Sequence, residues 1–67
     1  MTDLQAATAK AIAADEVWMA ALRKHFGSKA VDARYEMDKS KHPLECRNAH
    51  AALVAARNEA SALRRAA

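Results

Sequence analysis

The 67-residue chain has room for a single domain, residues 1–67, and a chain of this size buries only about 60% of the surface that its unfolded form exposes. Apolar residues make up 52% of it, but 19 residues are alanines, which favour helix and contribute little buried area each. The net charge of +3 comes from basic residues after position 22 that are interleaved with acids, which argues against a nucleic-acid surface and for solvated helix faces.

The first predicted element is a helix over residues 3–26. Thr2 or Asp3 can cap its N-terminus, and its apolar side chains recur with helical spacing. A helix with such a stripe needs a core or a neighbouring subunit to cover it. The stripe consists of Leu4, Ala11, Ile12, Trp18, Met19, Leu22 and Phe26.

Gly27 leaves two interpretations of residues 27–38 open. It can cap the first helix, with a short separate helix after it, which gives a three-helix unit. Alternatively the first helix runs on with a kink at Gly27, because the apolar stripe keeps its phase through Ala30, Ala33 and Met37. An interior glycine costs only about 1 kcal/mol relative to alanine. We favour the long, kinked helix.

Pro43 suits the first position of a second long helix over residues 43–66, and His42, held extended by the proline, ends the segment before it. Arg64 and Arg65 fall in the last turn, where positive charge complements the helix dipole. Small apolar residues at alternating spacings of three and four form a seam that permits close approach of another helix. The seam consists of Cys46, Ala49, Leu53, Ala56, Ala60, Leu63 and Ala67.

These elements predict an all-α helical hairpin with unequal arms, about 54 Å against about 36 Å at 1.5 Å per residue. The longer arm would overhang at its N-terminal turns, which then have nothing from their own chain to pack against. A second copy would cover them, so we expect a homodimer that forms a four-helix bundle. The residues assigned to the core or the dimer interface are Leu4, Ile12, Trp18, Leu22, Phe26, Leu53 and Leu63.

Cys46 is the single cysteine, so the chain has no internal disulfide, and its first residues lack the basic and apolar regions of a secretory signal. No run of residues approaches the roughly 20 apolar positions that span a bilayer. We therefore expect a cytoplasmic protein without a membrane segment.

Three potential zinc ligands, His42, Cys46 and His50, have a spacing of four that places them along one helix face. His42 precedes a proline and falls off that face, and Cys46 also belongs to the small-residue seam. Cys46 with His50 resembles a thiol nucleophile with its base, but a thin hairpin supplies neither a pocket nor an orienting third group. We predict no metal, no cofactor and no catalytic residue.

Residues 22–31 invite a helix-turn-helix interpretation, with Gly27 in the turn and residues 28–38 as the recognition helix. Glu36, however, stands where that motif needs an apolar residue, and several acids would lie beside the DNA phosphates. DNA binding therefore remains the alternative to protein binding.

Arginine and tyrosine are enriched at the energetic centres of protein interfaces. Arg34 and Tyr35 lie beside Met37, with Arg47 across the connection, and at the turn end of a hairpin these four would form one partner-binding patch. The competing interpretation is that Tyr35 and Met37 close the end of the core while Arg34 pairs with Asp38. We predict a non-enzymatic protein-binding module.

Residues 26–35, the break at His42 and Pro43 and the alanine-rich stretch 49–53 resemble small helical proteins of Mu-like bacteriophages, among them the quorum-sensing anti-activators of Pseudomonas phages. The resemblance covers residues 18–60 and lies in size, hairpin pattern and composition. It implies a dimeric hairpin that binds and inhibits a host protein, such as a LuxR-type transcriptional activator or a type IV pilus assembly ATPase. A structural subunit of a larger assembly is a further alternative.

Overall fold

The computed structural model describes residues 2–66, and this part of the chain is all-helical. Helix α1 spans Asp3–Phe26, a 3₁₀ turn spans Gly27–Lys29, the short helix α2 spans Ala30–Arg34, and α3 spans Leu44–Ala66. The all-α prediction is confirmed. Within the described range, neither long helix has an apolar stretch of the length that crosses a membrane.

Helix α1 begins at a capping box. The backbone N–H of Gln5 donates to the Thr2 hydroxyl at 3.1 Å, and the backbone N–H of Thr2 donates to the Gln5 side chain at 2.9 Å. Two N–H groups that would otherwise lack a partner are thereby satisfied. Of the two caps that the sequence allows, Thr2 is the one used.

The first helix ends at Phe26, so the prediction of one long helix through Gly27 is wrong. Gly27 has φ +58° and ψ −126°, a conformation that side-chain-bearing residues rarely adopt, and its N–H donates to the carbonyl of Arg23. The chain then reverses and returns along α1. Arg34 meets Asp15 at 2.8 Å, whereas a continuous helix would separate these residues by about 28 Å. The structure adopts the alternative, with Gly27 as a cap and a short helix after it.

Helices α1 and α3 have 24 and 23 residues and lie antiparallel as arms of nearly equal length. Lys24 pairs with Glu45 near the connection, and Lys10 pairs with Glu59 toward the other end, here called the open end. The predicted overhang does not exist, because the residues that would have lengthened the first arm turn back after Phe26. The expectation of a dimer thereby loses its original reason, the unequal lengths of the two arms.

Helix α3 agrees with the prediction for residues 43–66 to within one residue. The carbonyl of Pro43 accepts the first helical hydrogen bond, from the N–H of Arg47 at 3.0 Å, so the proline precedes the first helical residue. Glu45 occupies the first turn, and Arg64 and Arg65 occupy the last, as the dipole favours.

The core is a seam of small residues that lets α1 and α3 approach closely around a few larger side chains. Trp18, Leu22 and Leu53 are almost completely buried, and Phe26 packs against them. The predicted α3 seam is buried at Cys46 and Leu53, with Leu63 half-buried and Ala67 outside the described residues. The buried small residues are Ala7, Ala21, Ala30, Ala33, Cys46, Ala56 and Ala60.

Candidate functional site

One face of the hairpin carries a partial third layer. Helix α2 and residues 35–43, here called the return loop, connect α1 to α3. They lie over the half of this face that holds the end of α1 and the start of α3. Arg34, the last residue of α2, marks the end of this layer. From there to the open end the described chain leaves the space between α1 and α3 uncovered.

This uncovered space is a groove of about 600 Å³, here called the open groove. Its α1 wall includes Ile12, whose side chain is 58% exposed and so is not a core residue of the single chain. Leu4, on the same helix, is half-buried. The complete lining is Thr8, Ala11, Ile12, Asp15, Glu16, Arg34, Arg57, Ala60, Ser61 and Arg64.

A smaller hollow of about 270 Å³, here called the Trp18 pocket, lies between the hairpin and the return loop. The guanidinium of Arg34 is 4.7 Å from the centre of the Trp18 ring, and the ammonium of Lys39 is 5.8 Å from it, which are cation–π distances. The ring centre of His50 is 4.6 Å from that of Trp18. The lining is Trp18, Arg34, Tyr35, Lys39, His50 and Arg57.

Asp15 joins the three helices at the boundary between the two cavities. Its Oδ1 accepts a hydrogen bond from Arg34 Nη2 at 2.8 Å and lies 3.6 Å from Arg57 Nη2. The hydrogen bond to Asp15 is the main cause that raises the pKa of Arg34. The alternative pairing of Arg34 with Asp38 is wrong, since Asp38 instead accepts a hydrogen bond from the Ser40 N–H at 2.9 Å.

The Trp18 pocket is electropositive, and its positive charge affects the pKa of His50. Burial lowers the pKa of His50, and the positive charges of Lys39, Arg57, His42 and Arg34 lower it further. Two N–H groups of residues that line the pocket, Trp18 Nε1 and Arg34 Nη1, are buried without a hydrogen-bond partner among the described residues. The pocket is thus lined by positive charge, and two of its lining residues carry a buried donor without a partner among the described residues.

The four residues predicted to bind a partner are not brought together as one patch. The reversal at Gly27 carries Arg34 back to Asp15, and its side chain is only 21% exposed. Arg47 stays in the first turn of α3, where its Nε donates to the His42 carbonyl at 2.9 Å. Tyr35 and Met37 are 74% and 99% exposed, so the alternative in which they close the core is wrong.

His42 fixes the return loop to the hairpin. Its ring is buried and lies 5.0 Å from the ring of Phe26, and its Nε2 is 3.3 Å from a carboxylate oxygen of Glu36. The ammonium of Lys39 donates to the backbone carbonyl of Glu36. The sequence predicted only that His42 ends the preceding segment, whereas the structure makes it the buried anchor of the loop.

The potential metal ligands point to separate surroundings. His42 contacts Phe26, His50 contacts Trp18, and Cys46 is fully buried in the core. No group of three ligating side chains within residues 2–66 is arranged to hold a metal ion. Burial raises the pKa of the Cys46 thiol, which opposes formation of the nucleophilic thiolate.

The recognition helix required by a helix-turn-helix is not formed. Residues 28–38 contain only part of a 3₁₀ turn and the five residues of α2, about 7.5 Å of helix, before the return loop. Ala30 and Ala33 of α2 are buried. This geometry argues against insertion of the segment into a DNA groove.

Sequence reasoning named Arg34 and Tyr35, which line the Trp18 pocket, but did not place Lys39, His50 and Arg57 beside them. His50 and Arg57 are seven residues apart, so they share one face of α3, and this spacing could have linked them. Asp15 and Lys39 carried no such signal. Their approach to the pocket depends on the chain reversal at Gly27, which brings distant positions together.

Comparisons of the chain with protein-family models, with curated proteins and with solved structures found no match. The geometry of the return loop and the two cavities is therefore the basis of the functional argument.

Proposed function

We propose that this protein is a non-enzymatic binding module that attaches to another protein through the return loop. The observation that carries the proposal is the exposure of Tyr35 and Met37, at 74% and 99% of their surfaces. Aromatic and methionine side chains are enriched in protein interfaces. Two such side chains that face solvent on one short loop are suited to burial against a partner.

The fixed shape of the loop adds to this argument. The buried His42 ring holds its C-terminal end, and the Asp38 carboxylate, bonded to the Ser40 N–H, holds its centre. A loop ordered before binding loses less conformational entropy when it docks. The burial of Cys46 and its raised thiol pKa support a role without catalysis.

The resemblance to Mu-like phage proteins supplies the first partners to test. The partner would be a bacterial protein met in the reducing cytoplasm, and inhibition would follow from occupation of its surface. A LuxR-type activator and a type IV pilus assembly ATPase are the two to examine, with a structural role in a larger assembly as the alternative.

The test is titration of the purified protein against each purified partner by calorimetry. We expect the double variant Tyr35→Ala with Met37→Ala to weaken binding at least about tenfold, which corresponds to about 1.4 kcal/mol. The matched control is Val17→Ala, because Val17 is an exposed apolar residue of α1, at 61%, that lines neither cavity. Equal affinity of the double variant and the control would exclude the return loop as the contact.

We also propose that a second copy of the chain occupies the open groove. Ile12 of each copy would enter the groove of the other, as a two-fold interface requires. Glu16 and Arg64 line the same groove with opposite charges, so two copies related by this symmetry can pair them across the interface. This proposal replaces the overhang as the reason to expect a homodimer.

A further inference from the structure

We propose that the Trp18 pocket is a binding site for a small oxyanion, the carboxylate or phosphate group of a ligand. The site adjoins the protein-binding surface proposed above, because Tyr35 belongs to both, but its recognition would come from cationic groups and not from the exposed Met37. Its first support is charge. Arg34, Lys39 and Arg57 line a hollow of about 270 Å³, and no acidic residue lines it.

The nearby acids leave much of this positive charge uncompensated. Asp15 accepts a hydrogen bond from Arg34 at 2.8 Å and approaches Arg57 at 3.6 Å, so one carboxylate serves two guanidinium groups. The Glu36 carboxylate lies 3.3 Å from His42, and the Asp38 carboxylate is bonded to Ser40. The ammonium of Lys39 is bonded to a backbone carbonyl, which carries no full charge.

The second support is the pair of unsatisfied donors. Trp18 Nε1 and Arg34 Nη1 are buried without an acceptor among residues 2–66, and a buried donor without an acceptor destabilises the folded state. An oxyanion offers several acceptor lone pairs to donors at once, and hydrogen bonds to a charged oxygen are stronger than those to a neutral one. A bound carboxylate or phosphate would offset the repulsion among the three cations. The two donors, which have almost no accessible surface in this structure, would reach it only after the Trp18 and Arg34 side chains shift.

His50 responds to the same positive charge. It faces Trp18 of α1, Arg34 of α2, Lys39 and His42 of the return loop, and Arg57 of its own helix, with Asp15 beyond the two arginines. Burial first, and the positive members of this set second, hold the pKa of His50 low. A bound anion would oppose that effect, so His50 would take up a proton more readily and anion binding would strengthen as the pH falls.

The experiment uses Trp18, the single tryptophan of the chain, as the reporter. Its fluorescence is followed during titration with sodium phosphate and, separately, with sodium acetate, while sodium chloride keeps the ionic strength constant. Because the ring is 3% exposed, quenching by free ions in solution contributes little. We expect a saturable change with half-saturation at about 1 mM or below for at least one of the two anions.

The variant Lys39→Gln removes one cation of the pocket, and Lys41→Gln removes the same charge from the same loop at a position that does not line it. We expect Lys39→Gln to weaken binding at least about tenfold and Lys41→Gln to leave it within about twofold. Saturation by phosphate alone identifies a phosphate site, and saturation by acetate, alone or with phosphate, identifies a carboxylate site. Absence of saturation with both anions, or an equal loss in the two variants, overturns the proposal.

A nuclear magnetic resonance titration of the His50 ring provides a readout that does not depend on fluorescence. With the anion at saturation we expect the pKa of His50 to rise from its value in the free protein. A His50 titration that is the same with and without the anion would also overturn the proposal.

Discussion

At the scale of single residues, Asp15 ties the third layer to the hairpin at the end of α2. Its carboxylate bonds to Arg34 of α2 and lies near Arg57 of α3, so one side chain connects all three helices. Helical spacing predicts which residues face the core, and Trp18, Leu22 and Leu53 lie there. It does not predict a pair 19 residues apart, because that contact exists only after the chain has reversed.

We expect Asp15→Ala to lower the free energy of unfolding by about 1–3 kcal/mol, because it leaves the guanidinium of Arg34, 21% exposed, without its charged partner. The control is Glu59→Ala. Glu59 meets Lys10 at 3.6 Å with both side chains more than half exposed, and such a pair is worth about 0–1 kcal/mol. Urea unfolding followed by circular dichroism measures both. Equal losses would show that the Asp15 contact has no special role.

His50 makes stability depend on pH in a defined direction. Its folded-state pKa lies below the ordinary value of 6.5, because of burial first and neighbouring positive charges second. As the pH falls below about 6.5, His50 of the unfolded chain binds a proton more readily than His50 of the folded chain. The contribution of His50 should therefore leave the free energy of unfolding unchanged above about pH 6.5 and lower it as the pH falls toward the folded-state pKa.

The measurement is the urea midpoint from about pH 8 to about pH 5 in the wild type and in His50→Gln. We expect the urea midpoint of the variant to fall less over this pH range than that of the wild type. The range stops there because Glu45 and Asp38, whose pKa values are lowered by hydrogen bonds from His25 and from Ser40 respectively, contribute only in stronger acid. Parallel curves for the two proteins would contradict this assignment.

At the scale of elements, the sequence predicts helix α3 well and the end of helix α1 poorly. Helix α3 follows from Pro43 and an uninterrupted small-residue seam, and its predicted bounds are correct to one residue. The end of α1 does not follow, because Ala30 and Ala33 keep the apolar phase of α1 across Gly27. They are buried in either arrangement, so periodicity alone does not reveal the reversal. The backbone of Gly27 decides it.

Gly27→Ala distinguishes the two arrangements by the sign of its effect. A Cβ at Gly27 would meet no atom within 4 Å, so the cost comes from the backbone conformation, φ +58° with ψ −126°, which we expect to destabilise the protein by about 1–3 kcal/mol. In a continuous helix the same substitution would stabilise by about 1 kcal/mol. Thermal unfolding gives the sign. The control is Ser28→Ala, which introduces an alanine at the next position, where φ is not positive. A stabilised Gly27→Ala protein would favour the long helix.

At the scale of the whole molecule, the third layer is shorter than the hairpin that it covers. Two arms of nearly equal length extend to the open end, and α2 with the return loop covers only the half next to the connection. Ile12 is exposed because of this difference and not because of unequal arms. The sequence thus predicted that Ile12 is left uncovered by its own chain, but for a geometry that the structure does not have.

We expect the wild-type protein to sediment as a dimer at micromolar concentration and Ile12→Asp to sediment as a folded 7.3 kDa monomer. The substitution would remove the apolar side chain that enters the groove of the second copy. It would also place a carboxylate, which is costly to desolvate, on the same helix as Asp15 and Glu16. Val31→Asp is the matched control, because Val31 of α2 is β-branched, is also 58% exposed and lies outside the groove. A monomeric wild type, or dissociation by both variants alike, would exclude the groove as the interface.

The start of α1 lies beside the end of α3. Two ion pairs along the hairpin, Lys24 with Glu45 and Lys10 with Glu59, show this antiparallel arrangement. A polypeptide fused to either terminus therefore emerges at one pole of the molecule, next to the open groove and away from the connection. Immobilisation through a terminus would crowd the groove while it leaves Tyr35 and Met37 accessible. The point of attachment to a sensor surface thus selects which of the two proposed surfaces a ligand can reach.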